Sequence, residues 1–359
     1  MTSKANGKHI VVLGAGCAGL PAATRAGKHN RVTLVAPETR FRHRVRQHET
    51  AAGHPARRPA VAEVVRGRGV RHVQARATEL DLAGRKVLLD TGETLAYDTL
   101  VYALGSRTAW HGVPGAAEHA YGAERATEIS ERLRTADRPG TVAVVGGGAT
   151  GIEMATEIAE AHPEWKVRIV TAGQVGGWFS ARGRAHVLAV MAGLGVEVHE
   201  QATVTAVDPE GLDTTGGRIP GDIVVWAASM EPLPLAAEAG LTVNAAGRAV
   251  VDGYLRSVSH PDVHVIGDAA EVTVPGTGTL RMACATALPM GRYVGRLLAG
   301  RTGKPFAFRY TAQCLSLGRR EALVQLIHGD DSMRPRVLTG RTGRLIKALI
   351  VNAVVWSLR

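Results

Sequence analysis

The feature that most limits what this chain can fold into occurs twice. His9-Ile-Val-Val-Leu runs into Gly14-Ala-Gly16-Cys-Ala-Gly19, and Thr141-Val-Ala-Val-Val runs into Gly146-Gly-Gly148-Ala-Thr-Gly151. A buried-strand run, glycines spaced G-x-G-x-x-G and then helix-forming residues predict strand, tight turn and helix in succession. The first glycine lets the chain turn, the second lets a pyrophosphate approach the backbone, and the third lets helix pack closely on strand. A helix start there offers unpaired N–H groups and the positive end of its dipole to phosphate. Pro21 suits the early part of the first helix, where its missing N–H costs little. Each unit is followed by another apolar strand, Arg31-Val-Thr-Leu-Val35 and Lys166-Val-Arg-Ile-Val170. One chain with two dinucleotide sites is most simply a device for moving electrons between them.

Three later segments extend the pattern. Tyr97-Asp-Thr-Leu-Val-Tyr-Ala-Leu-Gly105-Ser and Asp222-Ile-Val-Val-Trp-Ala-Ala-Ser229 are buried strands ending in small residues, where bulk would collide with a cofactor. Pro261-Asp-Val-His-Val-Ile-Gly267-Asp268 ends in an acid that can accept a hydrogen bond from a sugar or ribityl hydroxyl. At 359 residues the chain exceeds what a single core serves, so two or three domains are expected. A hydrophobic content of 45% excludes wholesale disorder. No run reaches the ~18 apolar residues of a spanning helix, and no signal-peptide pattern is visible. A soluble, cytoplasmic protein is therefore expected. The net charge of +11 is carried largely by arginines spread along the chain, densest from Arg40 to Arg71. That pattern favours a solubilising surface that attracts anionic cofactors over a nucleic-acid interface. Cys17, Cys284 and Cys314 lie far apart in sequence, so neither a disulfide framework nor a C-x-x-C redox pair or metal site is expected.

The two fingerprints, Ala103-Leu-Gly105 and Gly267-Asp268, in that order, resemble the two-dinucleotide-domain flavoproteins of the pyridine nucleotide–disulfide oxidoreductase superfamily. The type II NADH dehydrogenases and apoptosis-inducing-factor-like proteins are the most similar branch. The resemblance covers about residues 9–300. It implies FAD on Gly14, Gly16 and Gly19, with Gly105, Gly267 and Asp268, and NAD(P)H on Gly146, Gly148 and Gly151. It also implies an α/β fold with two Rossmann-like domains, the FAD domain split by the inserted NAD(P)H domain. The boundaries expected are 1–108 and 240–304 for FAD, 109–239 for NAD(P)H, and 305–359 for a small C-terminal interface module.

Two departures sharpen that expectation. Dithiol reductases of the superfamily carry a cysteine pair soon after the first fingerprint or inside the nicotinamide domain. Here Phe41 to Gly53 and the span 109–239 hold no cysteine. Electrons should therefore leave the flavin directly for a diffusible acceptor, and the family's usual acceptor is a quinone. The second departure is the missing ribose-binding acid after each second strand. Ala36 stands where such proteins often carry Glu or Asp, with Glu38 available from a shifted loop. Thr171-Ala-Gly173 follows the nicotinamide strand, with Arg182 and Arg184 as candidates for a 2′-phosphate. NADH and NADPH both remain open at this point.

The resemblance also places Phe41–Ala52 near the isoalloxazine ring. As a helix, this segment would stack Arg44 and His48 at i,i+4. His48, with an ordinary pKa near ~6.5, is then a candidate proton donor to a quinone. Arg44 would stabilise developing negative charge, with His43 a weaker candidate; the alternative is a solvated basic helix. Glu153 matches the position that holds the nicotinamide end, or is simply a carboxylate near a helix N-terminus. The helix start near Cys284 is implied to face the flavin pyrimidine, while Cys284 itself is also explained as a small apolar-site residue.

From Leu345 the C-terminus is apolar on nearly every helical face, so burial is expected. A packed or dimer-interface helix and a peripheral membrane helix, flanked by Arg344 and Trp356, both suit it. The activity expected is FAD-dependent NAD(P)H oxidation with a quinone-like acceptor. The alternatives are a specialised-metabolism flavoenzyme acting on a bulky quinonoid substrate, and a slow-turnover redox-sensing binding protein.

Overall fold

The protein is described here by a computed structural model covering residues 7–56 and 58–358. Both fingerprint strands lie at the centre of a five-stranded parallel sheet. The first sheet runs Val263–Val265, Thr99–Tyr102, His9–Leu13, Arg31–Val35, Val70–Val73. The second runs Glu197–His199, Lys166–Val170, Thr141–Val145, Ile223–Trp226, Ala120–Gly122. In each, chain order reverses at the fingerprint strand, so a crevice opens beyond its carboxyl end, where α/β sheets bind ligands. Ile10 to Leu13 and Val142 to Val145 are buried, which explains their unbroken apolar sequence. The strand Val263–Val265 joins the first sheet only after the whole second sheet has been formed by the intervening chain, so the first domain is split.

Two helices lock the halves of the split domain together. Gly19–Ala26 and Cys284–Leu298 pack so closely that a Cβ on Gly291 would strike the Ala18 carbonyl, and one on Gly295 the Ala22 carbonyl. Small residues at this crossing set the helix spacing.

A three-stranded antiparallel sheet follows, Ala312–Leu317, Glu321–Ile327 and Met333–Leu338, with the helix Gly340–Ser357 packed on it. The expectation that this helix is buried is corrected. It buries Val351 and Val354 but exposes Leu345 (62%), Leu349, Ile350 and Trp356 (71%). Among the described residues no helix is long and apolar enough to cross a membrane.

The segment after Phe41 also departs from expectation. His43 and Arg46 have non-helical backbone, so the chain makes a 3-10 turn at Arg44–Arg46 and then a separate helix, Gln47–Ala51. Arg44 and His48 therefore do not stack, and they point into different clusters. The solvated-helix alternative is also excluded, because His43 and His48 are buried.

Candidate active site

The two glycine turns are built alike. Gly14 has φ +98°, donates to the Val35 carbonyl at 2.8 Å, and would place a Cβ against the Ala103 carbonyl. A Cβ on Gly19 would strike the Gly14 carbonyl. Gly146 and Gly151 repeat both constraints against Ala227 and the Gly146 carbonyl. The middle glycines differ: among the described residues a Cβ on Gly16 or Gly148 meets nothing within 4 Å. Protein packing explains the outer glycines and not the middle ones, whose open side is where a pyrophosphate would approach. The residues present therefore fit a dinucleotide at each turn.

Beside the first turn, Arg44 donates to the Ser106 carbonyl and hydroxyl at 3.0 Å each. The Ser106 hydroxyl donates to Asp268 at 2.7 Å, and Arg44 lies 3.6 Å from the same carboxylate. Gly267, at φ +75°, opens the short turn that delivers Asp268, and Gly105, at φ +72°, turns the chain beside the Arg44 guanidinium. Thus Arg44, Gly105, Gly267 and Asp268, widely spaced in sequence, form one polar rim above the Gly14–Gly19 turn.

His48 belongs to a second cluster. Its Nδ1 lies 3.7 Å from Glu153, whose Oε1 accepts from Lys347 Nζ at 2.7 Å and from the Ser316 N–H at 3.0 Å. Burial lowers the His48 pKa, outweighing the neighbouring Glu153 carboxylate. His48 is therefore neutral near neutral pH, which corrects its description as an ordinary imidazole acid. Burial opposes ionisation of Glu153, yet Lys347, His48 and the Ser316 N–H together hold its carboxyl below the usual value. Glu153 is thus more than a simple helix-start carboxylate, because its partners come from the Gln47–Ala51 helix and the C-terminal module.

One helical turn further, Glu157 is fully buried and, among the described residues, neither carboxylate oxygen has a hydrogen-bond partner. Burial, opposed by Arg319 and reinforced by Glu49, Glu160 and Glu153, pushes its pKa up to about 7. His54, half exposed, stands 3.7 Å away. For Lys347, the member of this cluster that sequence reasoning missed, the signal was a lone cation inside an apolar run.

The remaining candidates occupy supporting positions. Glu38 is half exposed beyond the Arg31–Val35 strand and pairs with Arg42 at 3.4 Å. Arg184 is committed to Glu200 through contacts of 2.7 and 2.9 Å, and Glu200 also accepts from the Val175 N–H. Arg182 is exposed. Cys17 and Cys284, 267 residues apart, meet with their sulfurs 3.0 Å from each other, which overturns the expectation that the cysteines are separate. Among the described residues no three His, Cys, Asp or Glu side chains converge to hold a metal.

The sequence model described as pyridine nucleotide-disulphide oxidoreductase matches residues 8–291. An NADH dehydrogenase-like protein of Mycobacterium tuberculosis is 30% identical over 314 residues, covering 80% of this chain and 78% of the relative. A demethylphylloquinone reductase of Synechocystis is 28% identical over 230 residues, covering 59% of this chain and 57% of that protein. In three dimensions, NDH2 from Plasmodium falciparum in complex with NADH superposes with a TM-score of 0.84 at 15% identity. That match covers 99% of this chain and 96% of the other and is a likeness of fold.

Proposed function

The chain belongs to the pyridine nucleotide-disulphide oxidoreductase family, and from that premise we propose that it is an FAD-dependent NAD(P)H oxidoreductase with a quinone-type acceptor. The observation that carries this reading is the pair of matched glycine turns, each open only at its middle residue. FAD binds the first turn and NAD(P)H the second. When bound, FAD supplies the two-electron relay between nicotinamide and acceptor. The FAD-binding parts are taken as 1–108 and 240–304, the nicotinamide domain as 109–239, and the C-terminal module as 305–359. Glu38 is the carboxylate available to the FAD adenosine ribose. Asp268, oriented by Ser106, is suited to a ribityl hydroxyl, and Arg44 brings positive charge to the same rim.

Quinone reduction takes two electrons and two protons, whereas hydride from NAD(P)H brings one proton. The second proton is assigned to the cluster at the junction of the Gln47–Ala51 helix, the Ala149–Ala161 helix and the C-terminal module. His48 is neutral, carries a proton on one ring nitrogen and has a lone pair on the other. Among the described residues its Nε2 has no partner, so it can pass a proton without first breaking a hydrogen bond. Glu157, titrating near neutrality, stores the proton, and half-exposed His54 connects it to water. Lys347 keeps Glu153 ionised beside His48.

Arg184 is neutralised by Glu200 and is not free to bind a 2′-phosphate, which leaves the exposed Arg182 as the candidate for NADPH. The exposed face at Leu345, Leu349, Ile350 and Trp356, preceded by Arg341 and Arg344, is assigned to peripheral contact with an anionic membrane surface. Vesicle co-sedimentation tests it, and self-association without vesicle binding would assign the face to a homodimer.

The deciding experiment is anaerobic stopped flow. NADH should bleach the flavin, and a soluble quinone should restore its colour in a second, separately measured step. His48→Ala should leave the first step nearly unchanged and slow the second by roughly 10²-fold, as for a lost acid–base group. No flavin bleaching with either nicotinamide would sink the activity. Unchanged reoxidation in the variant would remove His48 alone.

A further inference from the structure

Cys17 lies inside the first glycine turn, and Cys284 is the first residue of the Cys284–Leu298 helix. Their sulfurs are 3.0 Å apart and both residues are half buried. The approach is not an accident of mobile side chains. It is fixed by the helix crossing in which Gly291 rests on the Ala18 backbone, one residue from Cys17. Cys17 sits in the electrostatic field of Asp268 and Arg44, and its hydrogen bond with Cys284, followed by burial, raises its pKa well above the usual thiol value. Cys284 stands at the positive end of a fifteen-residue helix, a setting in which cysteine sulfur attacks electrophiles. Cys314 lies in a different place, on the C-terminal sheet beside Lys347.

We propose that Cys17 and Cys284 are a peroxide-oxidisable thiol pair whose disulfide staples the two halves of the split FAD-binding domain. Cys284 sulfur attacks hydrogen peroxide: an S–O bond forms, the O–O bond breaks, and one water leaves. Cys17 then attacks that sulfenic sulfur: the S–S bond forms, the S–O bond breaks, and a second water leaves. Two thiols lose two electrons in total and the peroxide gains them. A small dithiol reverses the reaction by exchange. The staple holds the phosphate turn against the helix that closes the same cofactor site, so the oxidised protein releases FAD more slowly. This inference concerns the flavin domain alone and is independent of the acceptor.

The test uses the FAD-bound protein treated with one equivalent of hydrogen peroxide. Free thiols are then alkylated and the protein is digested without reductant for mass spectrometry. The expected result is a cross-linked peptide pair containing Cys17 and Cys284, with Cys314 alkylated, and reversal by dithiothreitol. FAD release in fixed urea should slow by about tenfold or more after oxidation. Cys314→Ser should preserve both effects, while Cys17→Ser and Cys284→Ser should abolish them. The wild-type peptide map decides the case even where a variant folds poorly. Cys284 oxidised to sulfinic acid without a cross-link, a cross-link through Cys314, or three unreacted thiols would each overturn the pairing. A correct cross-link with unchanged FAD release would overturn the staple.

Discussion

Replacing Lys347 with methionine isolates the energetics of the buried cluster. The Lys347 and Glu153 side chains are only 12% and 13% exposed, and their charged atoms are 2.7 Å apart. Methionine retains much of the stem but removes the ammonium, leaving Glu153 with the Ser316 N–H and a neutral His48. Breaking one side of a buried pair costs about 3–5 kcal/mol, because the remaining charge has been taken out of water. In the parent, the depressed Glu153 pKa contributes stability above its unfolded value, near ~4.5, and loses it as pH falls through the folded value. In Lys347→Met, burial dominates and the folded Glu153 pKa rises. Stability is then fullest below the unfolded value and is lost as pH rises. Urea unfolding should therefore show a deficit of about 3 kcal/mol at pH 8 that shrinks towards pH 5. Adding Glu153→Gln removes the stranded charge, so the double variant should recover about 2 kcal/mol of the deficit. A deficit below about 0.5 kcal/mol, or strictly additive single and double variants, would refute the buried pair.

Gly16→Val should leave the fold intact and abolish FAD retention, read by released flavin fluorescence, because the space beside Gly16 holds no described protein atom and is where a pyrophosphate would approach. Gly19→Val should instead impair folding, since its Cβ would strike the Gly14 carbonyl. Glu200→Gln should free Arg184 and raise the NADPH:NADH ratio of kcat/KM by about tenfold, the effect of one gained charge-assisted contact. Glu157 has a folded pKa of about 7 against an unfolded value near ~4.5, so the parent's stability is full below the unfolded value and falls as pH rises through the folded one. Glu157→Gln should therefore gain about 3 kcal/mol at pH 8 relative to its standing at pH 4, measured by urea midpoints. A constant difference across that range would show that Glu157 is ionised when folded.

Local features of the sequence were legible because their physics is local. The fingerprint strands are buried on both faces and read as unbroken apolar runs, and Gly14 and Gly19 are dictated by backbone within their own unit. The fate of His48 was not legible. Arg46 interrupts the helix after Arg44, and a single non-helical residue sends the two side chains to different partners. Glu153 and Lys347 are 194 residues apart, and their pairing depends on how the C-terminal sheet seats its helix. Cys17 and Cys284 depend on a close helix crossing allowed by Gly291 and Gly295, whose spacing is visible in sequence but whose partner is not. The C-terminal helix was misjudged because apolar composition states a preference for burial without supplying a surface to meet it.

The split sheet imposes an order of assembly on the growing chain. Strand Thr99–Tyr102 emerges with one neighbour, His9–Leu13, already made, but Leu100 waits 163 residues for its other partner, Val263. Every strand of the second sheet lies within residues 120–226, so that domain can complete itself while the first remains unfinished. During synthesis, the first sheet carries an open edge of unpaired backbone, the kind of surface that templates misassembly. Closing it requires a long-range contact, which is slow to form. The inserted domain, once folded, brings the ends of its own chain together and shortens the loop that must close, so its early folding should speed the capture of Val263–Val265. Destabilising the nicotinamide domain alone would thereby lower the yield of flavin-competent protein from a ribosome.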